Sequence, residues 1–375
     1  MDPLSDVVRA SGADAYVIFA SSRDADMRYM THFTTSDPFV FFKKPGERGV
    51  IVVSQMETGR ASREATAAVM TRTQAGLPDI LKTEKDPYRA TAKMIAGQVG
   101  KKILVSSDFP VALANSLSEY CTILVDKGTI RSMRAKKSKN EILLMKNVQK
   151  ATEKAMGLAV SLIKKASVKK GILYVDKKPL TAEFIKFSMH SLLLQYDCAA
   201  VDTIVSCGEE TSIPHLTGKG PLKSDEPIVI DLFPVEEKSG YYADMTRTIV
   251  KGEPTPDIIE MYSALQEAKR LGISRVKVGV SGADIHQVVV DFFKDSGYES
   301  NQRGFIHNLG HGVGLQIHEL PTVGPAGEAL VSGNVITIEP GLYYPGIGGV
   351  RLEDIGVVKK TGFENFTIFP EELIV

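Results

Sequence analysis

The feature that most restricts the fold of this chain is a repeated order of predicted elements in its C-terminal part. Helical patterns and pairs of β-rich runs follow one another as helix, helix, hairpin, helix, helix, hairpin, at residues 139–166, 181–196, 228–250, 256–274, 282–296 and 335–358. The helical patterns carry apolar residues every three or four positions, and the β-rich runs are short and rich in β-branched residues. Because the order occurs twice, we expect an internal structural duplication in an α+β domain, although residue identity between the halves is weak.

Residues 1–130 have a different pattern, in which short β-branched runs alternate with helical patterns. The runs of strand length are AYVIFA, GVIVVS, ILVSS and TILVD, and the helical pattern PYRATAKMIAGQV begins with a proline suited to the first turn of a helix. This alternation predicts a smaller α/β domain at residues 1–130, without the glycine-rich loops that cradle nucleotide phosphates. The basic run at 131–139 predicts a linker, and residues 140–375 then form the second domain.

Length, charge and cysteine content narrow the possible functions. A chain of 375 residues is long enough for two domains, and its 45 lysines and arginines balance its 45 aspartates and glutamates, which argues against binding to nucleic acid through net charge. No apolar run approaches the ~18 residues of a membrane span, and the acidic start lacks the basic region of a signal peptide. Three cysteines without CxxC spacing exclude a disulfide framework and a thiolate zinc site. We expect a cytoplasmic protein without nucleic-acid or membrane partners.

Each predicted hairpin contains two carboxylates that can face each other. Pairing Asp231 with Asp244 leaves a short loop at 236–239, and pairing Glu339 with Glu353 centres the second turn on Gly346. Opposed side chains on one face of a hairpin lie ~5 Å apart, where two like charges are destabilising unless a positive group lies between them. Two divalent cations would satisfy four clustered carboxylates, because hard cations prefer oxygen ligands.

Histidines flank both hairpins. Four of the seven histidines lie in these positions, and they are His215, His307, His311 and His318. The glycines around His311 allow the backbone to approach a metal closely. They also disfavour the long helix of an HExxH site. The remaining three, His32, His190 and His286, are interpreted as structural.

The quoted motifs resemble those of a known family. DLFP…GYYADMTRT, GHGVGLQIHELP, ITIEPG and GVRLED, within residues 206–358, are similar to the signatures of the pita-bread metallopeptidases, in the prolidase and aminopeptidase P branch. The preceding α/β segment resembles the N-terminal domain of that branch. The resemblance implies a C-terminal pita-bread fold with pseudo-twofold helices and antiparallel hairpins. It also implies a homodimer that hydrolyses the bond between the first residue of a short peptide and a proline at its second position.

The resemblance also implies roles for individual residues. The implied ligands of a dinuclear metal site are Asp231, Asp244, His311, Glu339 and Glu353. The resemblance implies that Asp244 and Glu353 would bridge the two metals. The implied cations are Mn²⁺ or Co²⁺, with Zn²⁺ as the alternative, since carboxylates outnumber nitrogen donors four to one. The candidate substrate-binding residues are His215, His307, His318 and Arg351. We expect His215 or His318 to stabilise the oxyanion, and Glu339 to carry a proton to the leaving nitrogen.

Two departures from the family pattern bear on specificity. The interval between the two aspartates carries two more residues than the usual loop. Thr322 follows HELP where several archaeal-type prolidases have an arginine suited to the carboxylate of a dipeptide. Xaa-Pro peptides longer than a dipeptide therefore remain candidate substrates. An aromatic segment at 33–42 is interpreted either as one wall of a proline pocket or as core phenylalanines.

Three other functions stay open at this stage. A methionine aminopeptidase shares the ligand set but usually lacks the N-terminal domain. A creatinase-like hydrolase shares the two-domain layout but works without metal, and a non-catalytic pita-bread binding protein typically loses ligands. The five intact ligand positions favour the Xaa-Pro peptidase.

Overall fold

A computed structural model describes residues 2–375, and it divides into two compact units at Arg134 and Ala135. Unit 1 contains seven α-helices, α1 Pro3–Ser11, α2 Ala25–Thr31, α3 Thr58–Glu64, α4 Leu77–Thr83, α5 Pro87–Val99, α6 Val111–Leu117 and α7 Thr129–Ala135. Its strands are β1 Ala15–Ala20, β2 Phe39–Lys43, β3 Val50–Val53, β4 Ala68–Thr71, β5 Lys102–Val105 and β6 Thr122–Val125. They form one sheet in the order β4-β3-β2-β1-β5-β6, with apolar clusters on its two faces. The four predicted strands and the helix at 87–99 are confirmed.

The aromatic segment of unit 1 belongs to the core of this sheet. Phe33, Phe39, Phe41 and Phe42 are all buried, and the first two rings pack edge to face with centroids 5.8 Å apart. The last three lie on β2, where alternating side chains enter the clusters on both faces. The interpretation as core phenylalanines is confirmed, because these rings present no exposed aromatic surface.

The stretch predicted as a linker is mostly helical. Residues 131–135 complete α7, and only residues 136–138 separate it from α8, Lys139–Lys165, which begins with a capping box between Ser138 and Glu141. The basic side chains do not all face solvent, since the buried Arg134 pairs with Asp26 at 2.6 Å within unit 1. The sequence pattern did not predict this ion pair, because Asp26 lies far from Arg134 along the chain.

Unit 2 shows the predicted order of helices and hairpins. After α8 its helices are α9 Ala182–Leu194, α10 Pro256–Arg275 and α11 Gly282–Asp295. Its strands are β7 Ser167–Lys169, β8 Ile172–Val175, β9 Lys178–Pro179, β10 Cys198–Ala199, β11 Ile204–Cys207, β12 Pro227–Leu232, β13 Val235–Glu236, β14 Met245–Val250, β15 Gly310–Gly312, β16 Glu319–Val323, β17 Val335–Ile338, β18 Gly341–Tyr344, β19 Gly348–Arg351, β20 Asp354–Lys359 and β21 Gly362–Asn365. Within residues 2–375, no helix combines the length and the apolar character needed to cross a bilayer.

Each helix pair of unit 2 covers one group of strands. The pair α8 and α9 buries Met156 and Met189 in a cluster with the strands of the β11-β12-β14 sheet. The pair α10 and α11 buries Leu265 and Val289 in a second cluster with residues of β17 and β18, among them Ile338. The second group of strands includes the sheet β16-β15-β17-β20-β21 and the pair β18-β19. The recurrence of two helices followed by a hairpin is confirmed, and the polar faces of both hairpins stay available for a site.

Candidate metal centre

The second hairpin places its two glutamates in the predicted register. Strand β17 pairs with β20, and β18 pairs with β19, with Gly341 opposite Arg351. Glu339 and Glu353 continue the same register between the two ladders. The turn contains Gly346 in the left-handed region, with φ of 86°, which glycine adopts without strain. The predicted pairing is confirmed.

The first hairpin has a different register from the one predicted. Asp231 lies opposite Thr246, and Val235 lies opposite Tyr242, so Asp231 does not face Asp244. The prediction was wrong by two residues because the connecting loop runs over residues 236–241, closed by the backbone bond from Glu236 N to Tyr241 O. Side chains alternate with a period of two, so this shift keeps both aspartates on one face as diagonal neighbours.

Strand pairing gathers three of the predicted ligands tightly. Asp244, His311 and Glu353 each offer one ligand atom, and these atoms lie within 4.8 Å of one another. Asp244 and Glu353 are 4% and 2% exposed. Nε2 of His311 also lies 3.2 Å from Oε1 of Glu339 and 3.6 Å from Oδ2 of Asp244. The two hairpins and the β15 strand therefore meet at one cluster of acids around one imidazole.

The charges in this cluster oppose one another. Burial, followed by the charge of Asp231, raises the pKa of Asp244 well above its usual range, and burial with the charge of Asp244 does the same to the pKa of Glu353. Burial alone would lower the pKa of His311, but the hydrogen bond and charge of Glu339 raise it to about 9. Burial is likewise outweighed at Glu339, whose pKa His311 lowers to about 2. The raised pKa values of Asp244 and Glu353 mean that the metal-free cluster disfavours further negative charge, which a bound cation would stabilise.

Asp231 supplies a direct test of whether a metal fits. Its Oδ2 accepts a hydrogen bond from Nη2 of Arg351 at 2.7 Å. Its Oδ1 is buried and has no hydrogen-bond partner among residues 2–375. Buried carboxylate oxygens are nearly always satisfied, and a divalent cation is a suitable partner for a hard oxygen ligand. The donor set of four carboxylates and one imidazole fits a pair of divalent cations.

Arg351 is held entirely by the protein. Its buried guanidinium donates to the Thr246 hydroxyl at 3.2 Å, the Tyr343 hydroxyl at 2.9 Å and the Pro214 carbonyl at 3.3 Å, in addition to Asp231. The sequence prediction placed it among the substrate-binding residues. A guanidinium with these four partners orients Asp231, and its role in substrate binding stays a prediction.

The three predicted substrate-side histidines differ in accessibility. His318 is exposed, and its ring packs edge to face on His311 with centroids 4.2 Å apart. His215 is also exposed and follows Pro214. His307 is engaged on both nitrogens, since Nδ1 donates to the Asn308 carbonyl at 2.7 Å and Nε2 lies 3.0 Å from the Tyr343 hydroxyl. His215 and His318 are therefore the histidines that a substrate can reach.

The remaining histidines are structural, as predicted. His190 shares a hydrogen bond of 2.8 Å with the Thr203 hydroxyl, and Nδ1 of His286 accepts from the Leu309 backbone at 3.2 Å. His32 ends α2 in the left-handed conformation. None of the three belongs to the cluster.

Sequence reasoning missed several polar side chains that orient the ligands. The Thr246 hydroxyl donates to Oε2 of Glu353 at 2.8 Å, and the Thr337 hydroxyl donates to Oε1 of Glu339 at 3.3 Å. The buried Tyr343 hydroxyl bridges Arg351 and His307. Each threonine lies in a strand, two positions from a predicted ligand just beyond the end of that strand, so the period of two could have identified both.

A second arginine supports the backbone behind the cluster. Arg247 donates to the carbonyls of Glu353 at 2.8 Å, Phe369 at 3.1 Å and Pro370 at 3.0 Å, and it pairs with Asp354 at 2.9 Å. Successive residues of a strand face opposite sides, so Glu353 and Asp354 direct their carboxylates to different networks. The segment after β21 thereby supports, through Arg247, the backbone of Glu353, which is a predicted ligand.

Comparisons with known proteins agree with this arrangement. Residues 144–360 match the family model of metallopeptidase family M24, and residues 1–136 match that of the creatinase/prolidase N-terminal domain. The Xaa-Pro dipeptidase of Pyrococcus horikoshii is 29% identical over 334 residues, which cover 88% of this chain and 86% of that protein.

Solved structures share the fold over nearly the whole chain. The prolidase from Pyrococcus horikoshii OT3 superposes with a TM-score of 0.83 at 26% identity, covering 99% of both chains. The Xaa-Pro aminopeptidase from Thermotoga maritima MSB8 gives 0.81 at 24% identity, covering 99% of both chains. These matches confirm the α+β class, with a pita-bread fold after a smaller α/β domain. A fold shared by a prolidase and an aminopeptidase does not decide between the two activities.

Proposed function

Because the chain belongs to metallopeptidase family M24, we propose that it is a metal-dependent exopeptidase that cleaves the bond between the first residue of a peptide and a proline at its second position. The observation that carries this proposal is the convergence of the five ligand-type side chains on one buried cluster, together with the unpartnered Oδ1 of Asp231. The preference for proline follows from the similarity to Xaa-Pro dipeptidases.

The proposed cofactors are two divalent cations per chain. Asp231, Asp244, His311, Glu339 and Glu353 would hold them, and four carboxylates with one imidazole favour Mn²⁺ or Co²⁺ over Zn²⁺. When bound, the cations supply Lewis acidity toward the scissile carbonyl and toward water. The bound cations would also offset the repulsion among the clustered carboxylates.

The protein's own side chains complete the proposed chemistry. His318 is exposed as a residue, but its ring is partly buried against His311. This partial burial, followed by the charge of His311, lowers the pKa of His318, which keeps that imidazole neutral near pH 7. A neutral His318, or His215, donates an N–H to the carbonyl oxygen as negative charge develops there. Glu339 lies beside the other proposed ligands, and we assign to it the transfer of a proton to the leaving nitrogen of proline.

The substrate is proposed to be a short peptide, not a dipeptide alone. Thr322 pairs directly with His311, so its short side chain lies on the same sheet face as the imidazole. Neither Thr322, which is uncharged, nor Arg351, which has four protein partners, offers a free bidentate charged contact for a dipeptide's carboxylate. A tripeptide places its next residue there without having to desolvate a free carboxylate. The homodimeric state and the cytoplasmic location stay predictions from the sequence.

The other candidate functions fit less well. The match of residues 1–136 to a creatinase/prolidase N-terminal domain disfavours a methionine aminopeptidase, which usually lacks that domain. The full set of ligand-type residues disfavours both a metal-independent creatinase-like hydrolase and a non-catalytic binding protein.

The test is a metal-dependent hydrolysis assay with product identification. The protein is treated with a chelator, divided, and reloaded with Mn²⁺ or Co²⁺ or left metal-free. We expect metal-dependent release of methionine from Met-Pro-Ala, with no release from Met-Ala-Ala. Cleavage of Met-Ala-Ala in preference would identify a methionine aminopeptidase, and equal activity without metal would contradict the proposal.

A further inference from the structure

A buried ion pair lies outside the metal cluster and next to His318. Nζ of Lys137 is 2.7 Å from Oε1 of Glu319, and the two side chains are 1% and 5% exposed. Lys137 belongs to the short segment between α7 and α8, whereas Glu319 is the first residue of β16. We propose that Lys137 is a positioning residue, which holds His318 in its working orientation through Glu319. This proposal depends on the function proposed above only where activity is measured.

The lysine is held in place by its own backbone. The Lys137 N–H donates to the Gly333 carbonyl at 2.9 Å, and the Asn334 amide donates to the Ala135 carbonyl at 2.8 Å. Gly333 has a φ of 96°, and a Cβ there would lie 2.9 Å from the Lys137 carbonyl oxygen. The ammonium group is therefore presented from a fixed segment, not from a mobile surface chain.

The glutamate is enclosed by the loop that carries His318. This loop joins β15 to β16, and a Cβ at Gly314 would lie 2.2 Å from Oε1 of Glu319. The Gln316 N–H points to Oε2 of Glu319 at 3.4 Å, and the Gly314 N–H donates to the Gln316 carbonyl at 3.0 Å. The loop thus wraps around a carboxylate whose position Lys137 determines.

His318 depends on this backbone for its orientation. No hydrogen bond to its imidazole is present within residues 2–375, and its ring packs edge to face on His311. His318 lies in a bend immediately before β16, so holding the Glu319 carboxylate restricts the backbone from which the imidazole projects. The ion pair and the catalytic imidazole are joined through one peptide bond.

The energetics of such a pair favour a role in orientation. Removing two charges from water is costly, so replacing both partners by neutral side chains often leaves stability unchanged or higher, whereas removing one partner is strongly destabilising. Stability alone therefore does not require Lys137 and Glu319. Neutral side chains at these two positions would lose the ion pair that fixes the position of the Glu319 carboxylate.

The experiment compares Lys137→Met, Glu319→Gln and the double variant with the metal-loaded wild type. We expect both single variants to lower Tm and to lower kcat for Met-Pro-Ala at least tenfold, with little change in KM and with metal content retained. In the double variant Tm should recover while kcat stays low. Amide hydrogen exchange in a peptide covering residues 313–320 should be faster in all three, which is a measurement independent of activity.

Two further variants connect the effect to His318. In a His318→Ala background, Lys137→Met should cause no additional loss of kcat. Lys137→Arg keeps the charge and should retain more activity than Lys137→Met, and this comparison serves if Lys137→Met does not fold. The control is Lys223→Met, which removes a lysine from an exposed pair with Glu226 and should change neither kcat nor exchange.

The possible contrary results are distinct. Recovery of kcat together with Tm in the double variant would show a purely structural role and overturn the proposal. Loss of metal, or an additive loss in the His318→Ala background, would overturn it as well. A wild type that does not cleave Xaa-Pro peptides contradicts the proposed function, and hydrogen exchange then still decides whether Lys137 orders residues 313–320.

Discussion

Arg351 donates a hydrogen bond of 2.7 Å to Asp231, and this contact joins the second hairpin of unit 2 to the first. The arginine is a buried cation beside a group of acids, of which burial and mutual repulsion raise the pKa values of Asp244 and Glu353. It therefore offsets part of the repulsion before any metal is present, and it holds one proposed ligand in place.

Replacing this arginine should destabilise the metal-free protein. Arg351→Met leaves Asp231 buried beside like charges, and breaking a buried pair from one side costs about 3–5 kcal/mol. Urea unfolding of the metal-free protein measures the change. Arg270→Met, which breaks an exposed pair with Glu267, is the control and should leave the unfolding midpoint nearly unchanged. An unchanged midpoint for Arg351→Met would mean that Asp231 is not charged in the cluster.

Neutralising the proposed bridging ligands should have opposite effects on metal binding and on stability. An Asp244→Asn, Glu353→Gln double variant should bind fewer than two metals per chain by elemental analysis after Mn²⁺ loading. The same change removes two repelling carboxylates, so the metal-free protein should unfold at equal or higher urea concentration near pH 8. Undiminished metal content would overturn the ligand assignment.

Metal binding should release protons below about pH 9. The pKa of His311 is raised from an ordinary value of 6.5 to about 9 in the metal-free protein, and only the neutral imidazole binds a metal. Its ion pair with Glu339 stabilises the metal-free fold fully below pH 6.5, and this contribution is lost as the pH rises through about 9. Because Asp244 and Glu353 also have raised pKa values, the affinity for the first metal should rise at least about tenfold per pH unit between 7 and 9. Calorimetry in buffers of different ionisation enthalpy counts the protons, and a count of zero would contradict the charge state.

Truncating the accessible histidines should impair turnover without removing the metals. His215→Ala and His318→Ala should each retain two metals per chain and lose ~10²-fold or more in kcat, the range for removing an oxyanion donor or a proton-transfer group. Metal analysis and steady-state kinetics on the same samples separate the two effects. Loss of metal from either variant would make that histidine a ligand.

Tripeptides should be cleaved at least as well as dipeptides. The reason is that Thr322 cannot form the charged bidentate contact that an arginine offers, and each charge-assisted hydrogen bond is worth about 1.5–3 kcal/mol. The measurement compares kcat/KM for Met-Pro and Met-Pro-Ala at matched metal loading. A dipeptide advantage above ~100-fold would show that another cation recognises the carboxylate.

The comparison of the two hairpins shows what the sequence could predict about the site. The pairing of Glu339 with Glu353 was correct because a glycine-rich turn around Gly346 leaves one favourable centre. The pairing of Asp231 with Asp244 was wrong because the loop between them offers no such marker, and its closure at residues 236–241 is set by contacts within the folded hairpin.

Partners that lie far apart in the chain could not be predicted in the same way. The engagement of Arg351 with Asp231 spans 120 positions, and it depends on how two hairpins pack, not on the pattern within either. The same is true of the pair formed by Lys137 and Glu319. Periodicity determines which face a side chain occupies, whereas tertiary packing determines which side chain it meets there.

The bonds from Arg247 to the carbonyls of Phe369 and Pro370 bear on how the protein is made. A chain leaves the ribosome from its N-terminus, so unit 1 can begin to fold while unit 2 is still being synthesised. The backbone of Glu353 gains this support only after residues 369–370 have emerged. The metal cluster should therefore be complete only at a late stage of the synthesis of unit 2.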